Sequence, residues 1–187
     1  MKKLMLVPAL FAFMCMGLLG CNQQQEATEQ AEEINEERFD DDMEDVAEEL
    51  TEIYGVNQMI IEIAQIAQGN SSLSQSMMDI NETILKDHQN LKDQLTQLAS
   101  QKNIALPNNI NYGESSELNE LREADADEFA EEYIEILTQA SDDMERKLED
   151  IEDELEGSSP EISSFVQSTM PVIRSHEQSV DNIDEEI

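Results

Sequence analysis

The sequence is poor in positive charge. Ten lysine and arginine residues are set against 44 aspartate and glutamate residues, which gives a formal net charge of −34 at pH 7. Proteins that bind nucleic acid need a basic surface for the phosphates, so this balance excludes nucleic acid as a partner. Anionic lipid headgroups repel such a chain as well.

Cysteine is equally scarce. Only Cys15 and Cys21 are present, and both lie within the first 21 residues. The rest of the chain therefore has no disulfide and no cysteine metal site, and it must be stabilised by packing. It also contains no nucleophile elbow, phosphate-binding loop, EF-hand loop or zinc signature. From these absences we expect a protein that is not an enzyme and that needs no cofactor.

The chain contains one long apolar run, from Leu4 to Leu19. This run follows Lys2 and Lys3 and is shorter than the stretch of about 20 apolar residues that a membrane-spanning helix needs. A positive start followed by a short apolar run is the layout of a signal peptide. The sequence thus predicts export, and no other stretch predicts a membrane span.

The apolar run ends in Leu18-Leu19-Gly20-Cys21, which resembles the lipobox of bacterial lipoproteins. The resemblance implies that residues 1–20 are a lipoprotein signal peptide and that the thiol of Cys21 carries lipid, including palmitate. Asn22 follows, and in bacteria that sort lipoproteins by this residue it favours the outer membrane. We expect a lipid-anchored protein of the cell envelope, on the outer membrane and facing the periplasm or the exterior. The alternative is an uncleaved anchor or an ordinary secretory peptide.

Residues 22–38 are rich in glutamine and glutamate and show no apolar periodicity. This composition is typical of disordered segments, because too few apolar groups are available to offset the entropy of ordering. Together with Cys21, the segment is therefore predicted to be a flexible acidic tether at residues 21–38. Residues 39–187 are predicted to form one folded domain.

In this domain apolar residues recur at spacings of three and four, the period of one helix face. The predicted helices carry their apolar stripes over residues 39–67, 73–98, 118–155 and 162–183. A short turn joins the first pair, another joins the last pair, and an irregular connection at residues 103–114 joins the middle pair. Strand signals are absent. The pattern predicts an all-α, antiparallel four-helix bundle.

Several short motifs, taken in order, resemble the DUF4142 family of exported bacterial proteins with a ferritin-like helical architecture. The matching residues are Asp87-His88, Leu95, Leu98-Ala99, Leu106-Pro107, Phe129, Tyr133, Phe165, Pro171 and His176. Ala130 replaces the aspartate that follows the phenylalanine in the family pattern. The resemblance covers most of residues 49–183 and implies a ferritin-like bundle and export. The family is named for its unknown function, so the resemblance implies no activity.

Two histidines, His88 and His176, interrupt the apolar stripes. Each is either a core residue satisfied by a hydrogen bond or a metal ligand. Ferritin-like di-iron sites use two Glu-x-x-His motifs, but Leu85 and Ile173 occupy the positions three residues before these histidines. A mirror-order estimate of the helix register places the two histidines about 16 Å apart, so they are not expected to share one ion.

Two hypotheses follow. The first is a non-enzymatic, lipid-anchored bundle that meets the membrane through the lipid on Cys21, with cations or an envelope protein as partners of its acidic surface. The second is a ferritin-like protein that binds a divalent metal ion through a histidine and nearby carboxylates. The candidate ligands of this second hypothesis are His88, His176, Asp87, Glu132 and Glu177.

Overall fold

The structure, a computed structural model, describes residues 20–108, 110, 112, 115–155 and 159–184. The predicted signal peptide, apart from Gly20, and the side chain of Cys21 lie outside the described residues. The helices are α1 (Gly20–Glu36), α2 (Asp41–Gln68), α3 (Gln75–Lys102), α4 (Ser116–Glu123), α5 (Phe129–Glu154) and α6 (Pro160–Asp184). The described part of the chain contains no strand, which confirms the all-α prediction.

The four long helices α2, α3, α5 and α6 form the bundle. Helix α2 packs against α3 and α5, and α6 packs against the same two helices from the opposite side. Residues 57 and 64 of α2 contact residues 88 and 81 of α3, and residues 87 and 102 of α3 contact residues 176 and 161 of α6, so each of these two pairs runs antiparallel. Within the described residues, no helix is both long and apolar enough to cross a membrane.

The sequence accounts for the ends of α3. Ser74 precedes this helix, and its hydroxyl accepts a hydrogen bond of 3.3 Å from the amide of Met77, as expected of an N-cap serine. At the other end, Asn103 has a φ of 63°, the left-handed conformation that asparagine tolerates after a helix. The amide of Asn103 donates to the carbonyl of Ala99, so the last turn is satisfied before the irregular connection begins.

The third predicted helix differs from the observed one, because the chain breaks it in two. Helix α4 ends at Glu123, and α5 begins at Phe129 after an extended residue at Ala124 and a turn closed by the carbonyl of Asp125. None of residues 122–128 is buried, and aspartates within that stretch favour turns over a helix interior. Leu118 and Leu121 of α4 are nevertheless fully buried, so the short helix covers the core.

The structure also corrects the predicted flexible tether. Residues 20–36 form α1, which packs along α2, and Ala31 and Asn35 on its inner face are 3% and 1% exposed. The prediction relied on apolar periodicity, but the two buried residues of this contact are one small residue and one polar residue. A search for large apolar side chains at helical spacing does not detect such a contact.

Asn35 holds α1 in place. Its Nδ2 donates to Thr51 Oγ1 at 3.3 Å and to the carbonyl of Ala105 at 3.1 Å, and its Oδ1 accepts from the amide of Ala105 at 2.7 Å. Arg38 adds a hydrogen bond of 2.8 Å to the carbonyl of Asn103. One side chain therefore joins α1 to α2 and to the connection after α3.

Substituting Asn35→Ala should release α1 from the bundle. The change removes three hydrogen bonds and leaves the half-buried amide of Ala105 without an acceptor, which together cost about 1–3 kcal/mol. We expect amide hydrogen exchange in α1 to accelerate about tenfold or more, with α2 to α6 unchanged. Gln30→Ala, on the exposed face of α1, is the matched control and should leave exchange unaltered. Equal protection of α1 in both variants would show that Asn35 does not hold the helix.

Candidate functional site

Polar residues from three helices meet in the apolar interior of the bundle. Asn57 lies on α2, His88 and Asp87 lie on α3, and His176 lies on α6. Asn57, His88 and His176 are 0%, 1% and 6% exposed, whereas Asp87 is half-buried at the edge. The apolar stripes place these side chains inside, because each occupies a position that its helix turns toward the core.

The hydrogen bonds of His88 determine which of its ring nitrogens carries the proton. The Nδ2 of Asn57 donates to the backbone carbonyl of His88 at 3.1 Å, so the Oδ1 of the same amide is the atom that faces the ring. This oxygen lies 2.8 Å from His88 Nδ1, and an oxygen can only accept. His88 is therefore protonated on Nδ1, and its Nε2 carries a lone pair.

His176 is oriented in the same way by a carboxylate. Its Nε2 lies 3.1 Å from Asp87 Oδ2, a carboxylate oxygen that accepts the proton of that nitrogen, so in the neutral ring the lone pair is on Nδ1. Asp87 and His176 also line a groove of about 390 Å³ between α3 and α6, whose other lining residues include Thr83, Pro171 and Ser175. The carboxylate thus lies between the buried ring and solvent.

The two rings lie together in the structure, with centroids 5.4 Å apart and planes inclined by 42°. The estimate of about 16 Å is therefore wrong. That estimate projected the position of each histidine onto α5 and compared the two positions. For His88 it assumed that α3 and α5 run side by side in mirror order about the midpoint of the connection at residues 103–114. In the bundle α3 packs against α2 and α6 and lies diagonally across from α5, and α4 occupies part of the connection, so its midpoint does not set the register.

Both rings have an unsatisfied nitrogen in the core. Neither His88 Nε2 nor His176 Nδ1 has a hydrogen-bond partner, although both atoms are buried. Burial, reinforced by the neighbouring His176, lowers the pKa of His88 from its ordinary 6.5 to about 3. His88 is consequently neutral at physiological pH, and its free nitrogen is an available lone pair.

The other two predicted ligands lie apart from this pair. Glu177 is half-buried, and burial together with Glu145 and Asp142 raises its pKa to about 7. One of its oxygens, Oε1, is buried without a partner. Glu132 lies in the first turn of α5 and makes no hydrogen bond or ion pair with either histidine within the described residues.

The role of Asn57 as the partner of His88 was not predicted, although the sequence contains a signal for it. Helices joined by a tight turn meet in mirror order, and residues 57 and 88 are equidistant from the turn that follows α2. Residues 64 and 81 have the same midpoint, and Asn81 Nδ2 donates to the carbonyl of Ala64 at 2.9 Å. When each of two helices has a polar residue in its apolar stripe, and both residues lie equally far from the tight turn that joins the helices, the sequence predicts a contact between those two residues.

A second buried polar contact continues from Asn81. Its Oδ1 accepts a hydrogen bond of 3.0 Å from the hydroxyl of Tyr133 on α5, and burial raises the pKa of Tyr133. This network lies two helical turns from His88 along α3, about 10 Å at 1.5 Å per residue. Its donors and acceptors are paired with one another, in contrast to the histidine nitrogens.

An acidic cluster outside the bundle core was also not predicted. Glu32 of α1 and Glu48 and Glu52 of α2 each place a carboxylate oxygen within 4.8 Å of the others. Burial, followed by the charges of Glu48, Glu52 and Glu29, raises the pKa of Glu32. Lys147 of α5 forms ion pairs with Glu52 and, at 3.7 Å, with Glu49.

The arrangement of the histidines does not fit a ferritin-like di-iron centre. Such a centre needs carboxylates from all four helices around two ions. In the described part of the chain, the one set of three acidic or histidine ligand atoms within 4.8 Å of one another is the acidic cluster, which contains neither histidine. The core site instead presents two imidazole nitrogens without a hydrogen-bond partner, which are potential ligands of a single metal ion.

The depressed pKa of His88 should make folding stability fall as the solution is acidified. Below about pH 6.5 the unfolded chain protonates this residue, whereas the folded chain resists protonation until about pH 3, so the unfolded state binds more protons. Between pH 6.5 and pH 4 the residue should remove about 3 kcal/mol of stability. Urea unfolding of the native protein and of His88→Asn at both pH values measures this difference.

Carboxyl groups with a raised pKa, such as Glu177, make the folded protein more stable as the pH falls, which is opposite to the effect of His88. The native protein and His88→Asn are therefore compared at each pH, so that this contribution cancels. Gln89→Asn, at the exposed neighbouring position on α3, is the matched control. Its stability should differ from the native value by the same amount at pH 6.5 and pH 4. A pH-independent difference for His88→Asn would contradict the assignment.

Comparison with known proteins gives a family and no closer relative. No curated protein and no solved structure matches the chain. The sequence profile of one family, described as Domain of unknown function (DUF4142), matches residues 29–183. This range begins within α1 and includes Asp87, His88 and His176, so it covers the docked helix as well as the bundle. The chain belongs to the DUF4142 family, whose function is unknown.

Proposed function

We propose that this protein is a non-enzymatic, lipid-anchored protein of the cell envelope, which holds its acidic helical bundle close to a membrane surface. The proposal depends on one observation: the predicted lipid-bearing residue belongs to a helix that is packed on the folded domain. Cys21, at the end of the lipobox-like tetrapeptide, is the second residue of α1, and α1 is docked on the bundle through Asn35.

Docking of α1 determines how far the bundle can lie from the membrane. Asn35 is the fourteenth residue after Cys21, and in a helix these fourteen steps span about 21 Å at 1.5 Å per residue. A flexible chain of the same length has fluctuating ends, whereas the helix gives a fixed spacing. The anchor is therefore a short, ordered spacer, and the bundle stays near the lipid surface.

The charge of the protein confines its membrane contact to the acyl chains. With a net charge of −34, the bundle is repelled by anionic headgroups and needs the covalent lipid to remain at the surface. Palmitate is one acyl chain expected on Cys21, and the outer membrane is the destination that Asn22 favours. The same charge suits cations or an envelope protein with a basic surface as partners.

The burial of the two histidines supports a role without catalysis. A general acid or base has to reach its substrate and change protonation near the working pH. His88 is 1% exposed and its pKa is about 3, so it meets neither condition near neutral pH. His176 is 6% exposed and its outward nitrogen is occupied by Asp87.

Replacing Cys21 with serine tests the anchor. We expect Cys21→Ser to abolish incorporation of radiolabelled palmitate and to leave a precursor that retains residues 1–20, because both modification and cleavage depend on the thiol. Helical circular dichroism should remain, since Cys21 lies outside the bundle. Cys15→Ser is the matched control, because it removes the other thiol and keeps the lipobox-like tetrapeptide intact.

Labelling, cleavage and membrane recovery should all be normal in the Cys15→Ser control. If Cys21→Ser is processed and recovered with membranes like the native protein, the chain is not a lipoprotein. If Cys21→Ser loses its helical signal, the anchor and the fold are not independent.

A further inference from the structure

The geometry points to a mononuclear transition-metal site in the bundle core, in which His88 Nε2 and His176 Nδ1 each bind the same ion. The ion expected at this site is a divalent metal ion that prefers imidazole ligands, such as Zn²⁺. The inference goes beyond the anchoring role, because it assigns a binding site inside the domain that the anchor holds. It rests on four features of the site: the free nitrogens, their partners, the ring spacing and the route from solvent.

The first feature is the pair of free nitrogens, because a buried nitrogen without a partner destabilises the fold. His88 Nε2 and His176 Nδ1 are both buried and lack any hydrogen-bond partner. A buried acceptor without a partner destabilises the fold, and folded proteins contain few of them. Two such atoms on facing rings mark a place where a ligand satisfies both at once.

The opposite nitrogens carry the partners that metal-binding histidines usually have. Such histidines donate their second N–H to a carboxylate or a carbonyl, which fixes the tautomer and makes the free nitrogen more basic. Here His176 donates to Asp87 at 3.1 Å, and His88 donates to the side-chain carbonyl of Asn57 at 2.8 Å. Both rings are therefore held with a lone pair on the nitrogen that has no protein partner.

The spacing of the rings also suits one ion. With metal–nitrogen bonds of about 2.0–2.1 Å, two imidazoles on one tetrahedral ion place their ring centroids about 5 Å apart. The observed separation is 5.4 Å, and the rings are inclined by 42°. The separation of the two rings is therefore compatible with both of them binding one ion.

The number and type of donor atoms decide the class of ion. Ca²⁺ and Mg²⁺ prefer several oxygen ligands, whereas imidazole suits Zn²⁺, Cu²⁺, Ni²⁺ and Fe²⁺. Two nitrogens leave further coordination positions on the ion, and the groove lined by Asp87 and His176 brings solvent to the edge of the site. A site with two protein ligands and access to solvent exchanges its ion readily, unlike a closed structural zinc site.

Metal titration of the full-length protein tests the inference. The protein is purified in detergent, stripped with a chelator, and titrated with Zn²⁺ by calorimetry and with Co²⁺ by visible absorption. We expect one ion per chain at micromolar concentration, and at least a tenfold loss of affinity in His176→Ala and in His88→Ala. Asp87→Asn, which acts through His176, should weaken binding by about 10–100-fold while both imidazoles remain bound.

A double variant, Glu32→Gln with Glu48→Gln, is the matched control because it removes the acidic cluster and leaves the histidines intact. Retention of the bound ion in this control supports the histidine site. Loss of binding in the control, with normal binding in the histidine variants, would overturn the inference and assign the ion to the carboxylates. Absence of binding at micromolar Zn²⁺ and Co²⁺ would overturn it as well.

Electron spin-echo spectroscopy of the Cu²⁺-loaded native protein covers the case in which a histidine variant fails to fold. Two coordinated imidazoles per copper are the expected result, and a spectrum without coordinated imidazole would refute the site. Neither measurement involves Cys21, so the result is independent of the lipid anchor.

Discussion

The hydrogen bond between Asn57 and His88 is the constraint on which the core arrangement depends. In an interior made of leucine, isoleucine and alanine side chains, this pair has few alternative partners, so α2 and α3 are held in the register that satisfies it. Once α3 has that register, Asp87 faces α6 and hydrogen-bonds His176. Two rings from different helices are thereby brought to 5.4 Å, each with one nitrogen unsatisfied.

Periodicity alone predicted most of the bundle, because large apolar side chains at helical spacing can be buried in few other ways. The stripes located α2, α3, α5 and α6, and the glycine- and proline-containing segments located their ends. The break between α4 and α5 was missed, since Leu118 and Leu121 keep the period of the following stripe although the chain changes direction. Helix α1 was missed because its contact depends on Asn35, whose polar side chain is indistinguishable in sequence from a solvated one.

The site was predicted only in its parts. His88 and His176 were recognised as polar residues at core positions and Asp87 as a candidate ligand, but the distance between the histidines was misjudged because a long connection does not fix the register of the helices it joins. The mirrored pair of residues 57 and 88 does predict a contact, since a tight turn leaves little freedom. Acidic residues were treated as a solvated surface, which holds for most of them, yet Glu32, Glu48 and Glu52 lie together where α1 docks on α2. Such clusters depend on docking geometry that composition does not contain.

The hydrogen bonding of the two histidines is the central claim, because the register of the helices and the identity of the unpartnered ring nitrogens both follow from it. Long-range proton–nitrogen correlation spectra of the full-length protein, labelled with ¹⁵N in its two histidines, report the tautomer of each ring directly. The structure predicts a neutral His88 ring at pH 7 in metal-free protein, with its proton on Nδ1, and a proton on Nε2 of His176. A doubly protonated His88, or a His88 protonated on Nε2, would contradict the arrangement.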